Sequence, residues 1–113
     1  MNDQGFTSFH AHLYFDSSSL QHAEFLREQS GQLFNLELGR LHKKLVGPHP
    51  KWSCRLSVPR EKFSQVILWL CANRNNVEVM VHPETDDDLW DHTQGVMWLG
   101  QSYPLNLEIF KKA

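Results

Sequence analysis

Seven consecutive positions, Phe9-His10-Ala11-His12-Leu13-Tyr14-Phe15, alternate between two kinds of side chain, a two-residue period that suits an extended strand with one buried face. Phe9, Ala11, Leu13 and Phe15 fall on one side, and His10, His12 and Tyr14 on the other. Two histidines two apart on a strand reach the same small ligand or ion, so the wet face of this strand is the first place to look for chemistry. Trp52 to Val58 repeats the alternation, with Ser53, Arg55 and Ser57 opposite the apolar set. Val77 to Val81 repeats it again, with Glu78, Met80 and His82 opposite the valines. Leu36 to His42 alternates imperfectly and is expected as an edge or bulged strand. Pro83 cannot donate to a ladder and is expected to end the third run, leaving His82 at its tip and facing outward.

Between these runs lie two helical stripes. Leu20, Ala23, Leu26, Leu33 and Phe34 recur at helical spacing behind Asp16 and the serines Ser17, Ser18 and Ser19, which predicts a helix from about Ser18 to Phe34. Gly31 weakens its last turns by about 1 kcal/mol relative to alanine. His22 lies on its wet side and reads as a solvated surface residue. Phe63, Val66, Ile67, Trp69 and Leu70 predict a second helix that begins at Pro59 or Arg60 and ends near Asn73, where Asn73-Arg74-Asn75-Asn76 suits a turn. Further on, Thr85 followed by Asp88 resembles a capping box before a short acidic helix, and Leu105 to Ile109 alternates well enough for a terminal strand.

Strand, helix, strand, strand, helix, strand is the split βαβ order, so the expected fold is α+β and ferredoxin-like: one domain over residues 1–113, its antiparallel sheet carrying two helices on one face. In the strand order 4-1-3-2, His82 shares the open face with His10 and His12. Pro48 and Pro50 hold His49 extended within Gly47-Pro48-His49-Pro50, although counting alone does not say whether His49 reaches that face. A face bearing His10, His12, Tyr14, Arg55, Glu78 and His82 is too polar for a core. Sheet-to-sheet pairing of two copies, as in a dimeric α/β barrel, is therefore expected to cover it, making a homodimer.

Composition removes several function classes. A net charge of -2 and scattered Lys and Arg give no basis for binding nucleic acid. No apolar stretch approaches the roughly 20 residues of a membrane span, and the N-terminus lacks the layout of a signal peptide, so a cytoplasmic protein is expected. Cys54 and Cys71 have no CxxC spacing and read as buried free thiols.

The strand Phe9 to Asp16, the loop Gly47-Pro48-His49-Pro50, Trp69-Leu70 with Asn73-Arg74, the block Val81 to Thr93, and Trp98-Leu99-Gly100 with Leu105 together resemble the small L-DOPA 4,5-dioxygenase family. The resemblance implies extradiol opening of a catechol such as L-DOPA by O₂ with non-haem Fe(II), for which zinc or another divalent ion substitutes on purification. The family's histidines map onto His10, His12, His49, His82 and His92. A metal that takes both ring oxygens and O₂ leaves room for about three protein ligands. His12 and His82 are the expected ligands, with His10 the third ligand or a proton carrier. His49 and His92 join His10 as the expected catalytic groups, His49 as an acid or base beside the substrate. Asp87, Asp88 or Asp91 is expected to orient a ligand histidine, unless Glu78 supplies a carboxylate. Arg55 and Tyr14 are candidates to touch substrate, Arg55 by pairing with a carboxylate, while a solvated strand residue is the plain alternative for Arg55. Two other readings of the whole chain compete: a non-catalytic dimeric module that binds a small aromatic or a metal, and a cofactor-free oxygenase in a dimeric barrel.

Overall fold

A computed structural model describes residues 5–111. Its elements are β1 (Ser8–Phe15), α1 (Leu20–Phe34), β2 (Glu37–Leu38), β3 (Trp52–Pro59), α2 (Phe63–Asn73), β4 (Glu78–Pro83), α3 (Asp88–Asp91) and β5 (Met97–Leu99). The five strands form one antiparallel sheet in the order β2-β3-β1-β4-β5. The expected order of the first four is present, and Met97 to Leu99 adds a fifth beside β4.

One face of the sheet makes the core. Ala11, Leu13 and Phe15 of β1, Cys54, Leu56 and Val58 of β3, and Val79 and Val81 of β4 are all buried there. Ala23 and Leu26 of α1 and Val66 and Leu70 of α2 close over them. Burying each large apolar side chain contributes about 1.5–3 kcal/mol, and this cost of exposure fixes the register. A slip of one residue would bury His10 and His12 among leucines.

Several local expectations are refined or corrected. β2 pairs with β3 for two residues only; Gly39 N then donates to Arg55 O (2.7 Å), and pairing resumes at His42 and Ser53, one residue out of step. This is the edge or bulged strand expected from the broken alternation, with its regular pairing confined to Glu37 and Leu38. Pro59 ends β3, and a 3₁₀ turn (Arg60–Lys62) precedes α2. His82 and Pro83 lie within β4, where His82 faces His10 and Pro83 faces Phe9. Pro83 is tolerated because β5 pairs only with Val79 to Val81, which leaves that end of β4 with one neighbour. Leu107–Phe110 is a 3₁₀ turn, started by the Asn106 side chain accepting from Glu108 N. His22 Nε2 donates to Asn73 O (2.7 Å), tying α1 to the end of α2 instead of pointing to solvent. Cys54 is buried, but Cys71 lies exposed on α2.

The other sheet face is sheltered by the chain itself. Tyr103 Oη donates to Glu78 (2.8 Å), Asn106 N donates to Pro48 O (2.9 Å), and the Phe110 ring stacks on His92 at 4.4 Å. Tyr14 and Met80, which project from this face, are completely buried. Part of the face expected to meet a second copy is thus covered by the chain's own C-terminal segment. Among the described residues no helix is long and apolar enough to cross a membrane.

Candidate active site

The register of β1 against β4 sets His10 opposite His82, with His12 one pleat further along on the same face. Each of the three offers one ring nitrogen, all within 4.8 Å of one another. His12 Nε2 and His82 Nε2 are 3.0 Å apart. His82 Nδ1 donates to Pro83 O (2.8 Å), since a carbonyl only accepts, so the lone pair of His82 lies on Nε2. Nε2 of His12 therefore carries the proton between them. With His10 close by, these rings would be the ones to hold a divalent ion, which would take the place of the shared proton. The donor set and spacing thus fit a divalent metal that prefers imidazole.

Two further rings close on this trio. His49 lies 4.3 Å from the His12 ring and His92 4.2 Å from the His82 ring, centre to centre. His49 is presented by a turn in which Gly47 takes φ +55°, a left-handed conformation that favours glycine, and His49 N donates to Val46 O. Its Nδ1 lies 2.7 Å from Tyr14 Oη. Burial raises the Tyr14 pKa above its ordinary value, so the phenol keeps its proton and, with no other acceptor for it among the described residues, the assigned tautomer has it donating to Nδ1. Nε2 of His49 is then the N–H end. His92 is the mirror case: its Nδ1 donates to Asp88 O (2.7 Å), leaving Nε2 with a lone pair. The two rings outside the trio thus present opposite proton roles.

Burial keeps this cluster uncharged. Desolvation, reinforced by neighbouring imidazoles, holds His12 well below the usual histidine value and lowers His49 to about 4. His82 is lowered to about 4, desolvation outweighing the hydrogen bond to Pro83. Desolvation also lowers His10, against the opposing pull of Glu84. At neutral pH each of these rings is uncharged and keeps one nitrogen lone pair, and at His12 the Nε2 proton has to move to Nδ1 before Nε2 can bind an ion.

The carboxylates are deployed differently from the sequence expectation. Asp87 caps α3 by accepting from Trp90 N (3.0 Å), the role assigned from sequence to Thr85. Asp88 orients His92 through its backbone carbonyl and not its carboxylate. Asp91, 1% exposed, accepts from Thr85 N (2.9 Å) and Thr85 Oγ1 (2.5 Å), pinning the turn that leads into α3 and His92. Asp91→Ala should lower stability by about 3 kcal/mol, on the order of 10 °C in melting temperature, and Asp91→Asn by less, because hydrogen bonds to a buried charge are worth about 1.5–3 kcal/mol. Thermal melts of the three proteins check this. Glu78 accepts from Tyr103 Oη (2.8 Å) and is not among the side chains that converge with His10, His12 and His82. The carboxylate beside the trio belongs to Glu84, which the sequence reading passed over: its Oε2 lies 3.1 Å from His10 Nε2 and leaves His10 Nδ1 with the lone pair.

Tyr14, expected to touch substrate, is fully buried and engaged by His49. Arg55 stands opposite His12 in the β1–β3 ladder and borders a cavity of about 240 Å³ lined also by His12, Arg40, His42, His49 and Ser53. Its Nε is buried without a hydrogen-bond partner among the described residues. An orphaned buried donor costs on the order of 1–3 kcal/mol. Its Nη2 lies 3.7 Å from the carboxylate of Glu37, whose side chain is 80% exposed.

Comparison with known proteins adds ancestry to this geometry. A DOPA 4,5-dioxygenase from Amanita muscaria is 34% identical over 93% of this chain, and an uncharacterised 21.2 kDa protein from Botryotinia fuckeliana is 31% identical over 93%. The chain spans 50% of the first relative's length and 64% of the second's. A crystal structure from Nostoc punctiforme, of a protein named only provisionally as a dioxygenase, superposes with a TM-score of 0.92 at 39% identity, covering 96% of this chain and 94% of that one. The model of the Dopa 4,5-dioxygenase family matches residues 9–109, a span that holds all five clustered histidines, and the chain belongs to that family.

Proposed function

We propose that the protein is an extradiol ring-cleaving dioxygenase acting on L-DOPA or a related catechol with O₂. The observation that carries this reading is the convergence of His10, His12 and His82 on one sheltered sheet face, with two of their nitrogens 3.0 Å apart. A ferrous ion held by those three rings would supply the chemistry that binds a catechol and O₂ together. The remaining residues handle protons. His92 Nε2, with its lone pair held outward by the bond to Asp88, accepts a proton from a catechol hydroxyl. His49 Nε2–H, fixed by Tyr14, donates a hydrogen bond to oxygen that gains negative charge. Glu84 orients His10. The cover formed by Tyr103, Phe110 and the 39–50 loop limits water around the reacting atoms. Small catechols and O₂ are the partners this reading requires; sheet-to-sheet pairing of two copies is not part of it.

The test is to add ferrous iron and L-DOPA without O₂, then admit O₂. A yellow ring-opened product, with one O₂ consumed per catechol and none after chelation, is the expected result. Bound but unchanged catechol would favour a binding module, and turnover that survives chelation a cofactor-free oxygenase.

A further inference from the structure

We infer that the cavity between β3 and the 39–49 loop is an anion subsite, which selects catechols carrying a carboxylate and makes no use of an amino group. This rests on the catechol reading above. His12 and His49 form its buried end, so a ring at the candidate ion centre points its substituent along the cavity toward Arg55, Arg40 and His42. About 240 Å³ is small for a ligand pocket and suits one ring's short side chain. The lining contains two guanidiniums and three imidazoles but no carboxylate. Among the described residues Arg55 Nε is a buried donor without a partner, at the edge of the guanidinium that takes a carboxylate side-on. Nη2, on the same edge, makes only a long contact of 3.7 Å with the exposed carboxylate of Glu37, which a ligand carboxylate held by Nε and Nη2 together would displace.

Room for Arg55 to lie this way comes from Gly39, where an added Cβ would stand 3.1 Å from Arg55 Cβ. An ammonium group in this cavity would meet guanidinium and imidazole. Dihydroxyphenylpropionate, which has the acid and lacks the amine, should therefore bind at least as well as L-DOPA, and dopamine should bind worst.

The experiment is calorimetric titration of the full-length chain with one equivalent of ferrous iron, kept free of O₂, using dihydroxyphenylpropionate, L-DOPA, ethylcatechol and dopamine. The expected result is the acid binding about tenfold or more tighter than ethylcatechol, with dopamine weaker than both. Arg55→Gln should bring the ratio of acid to ethylcatechol affinity close to one, and Arg55→Lys should retain part of it, because an ammonium keeps the charge and loses the fork. A ratio near one in the unaltered protein, a ratio that persists in Arg55→Gln, or dopamine binding as tightly as the acid would each overturn the inference. O₂ uptake measured on the same samples separates this from the catalytic reading. Arg55-dependent acid preference without uptake keeps the subsite and removes the dioxygenase, and uptake without acid preference does the reverse.

Discussion

Replacing His82 with alanine should give a folded protein that no longer retains a divalent ion. Changing residues that only orient a metal ligand typically weakens affinity 10–100-fold, so loss of a ligand should exceed about 100-fold and take turnover to the level of the metal-free protein. His12→Ala should do the same, because the two Nε2 atoms form one edge of the candidate coordination shell. The cost to the metal-free fold should be modest, about 2 kcal/mol. The apolar core lies on the opposite face of the sheet and is untouched, while His12 loses the acceptor for its buried Nε2–H. Elemental analysis, an oxygen electrode and a denaturant melt measure the three quantities. Iron content equal to that of the unaltered protein would remove His82 from the ligand set.

How much of this centre could be read from the sequence depended on how local each signal was. The β1 alternation announces its own faces, and it placed His10, His12 and Tyr14 together on the open side. What put His82 among them was pairing, which is not local. Pro83 looks like a terminator, yet at a strand end with one neighbour its missing N–H costs no ladder bond, so β4 runs two residues further than its valines. The Thr85 to His92 segment is ambiguous in sequence for a related reason. Thr85, Asp87, Asp88 and Asp91 all suit a helix start, and only the three-dimensional turn decides that Asp87 caps while Asp91 holds Thr85. Glu84 follows a proline and has no periodic signal, so its approach to His10 becomes visible only when Glu84 N bonds back to Ser8 O beside β1. Leu105 to Ile109 alternates over too few residues to distinguish a strand from a capped turn, and the Asn106 side chain chooses the turn.

The same burial that prepares the imidazoles for an ion should make the metal-free protein sensitive to acid. An unfolded histidine binds its proton near pH 6.5, whereas His49 and His82 in the folded protein do so only near 4, and His12 well below its usual value. Between these limits the unfolded chain holds more protons than the folded one, so stability rises with pH through the window and is lost as pH falls from about 6.5 toward 4. A displacement from 6.5 to about 4 corresponds to on the order of 3 kcal/mol for each of His49 and His82. By pH 5 the loss reaches about 2 kcal/mol for each of the two rings, a large part of the roughly 5–15 kcal/mol of a small domain, so the metal-free chain should be markedly less stable there than at pH 7.5. Asp16, lowered to about 2 by hydrogen bonds from Ser18 and Ser19, loses its effect only below about 4 and leaves this window alone. Urea titrations at pH 7.5, 6 and 5 test the slope, at about 1.4 kcal/mol per pH unit for each participating histidine at its steepest. His82→Ala removes one participant and should flatten the dependence by about that amount. A stability that stays level down to pH 5 would mean that the rings are solvated in the folded protein and take up their protons near the ordinary histidine value.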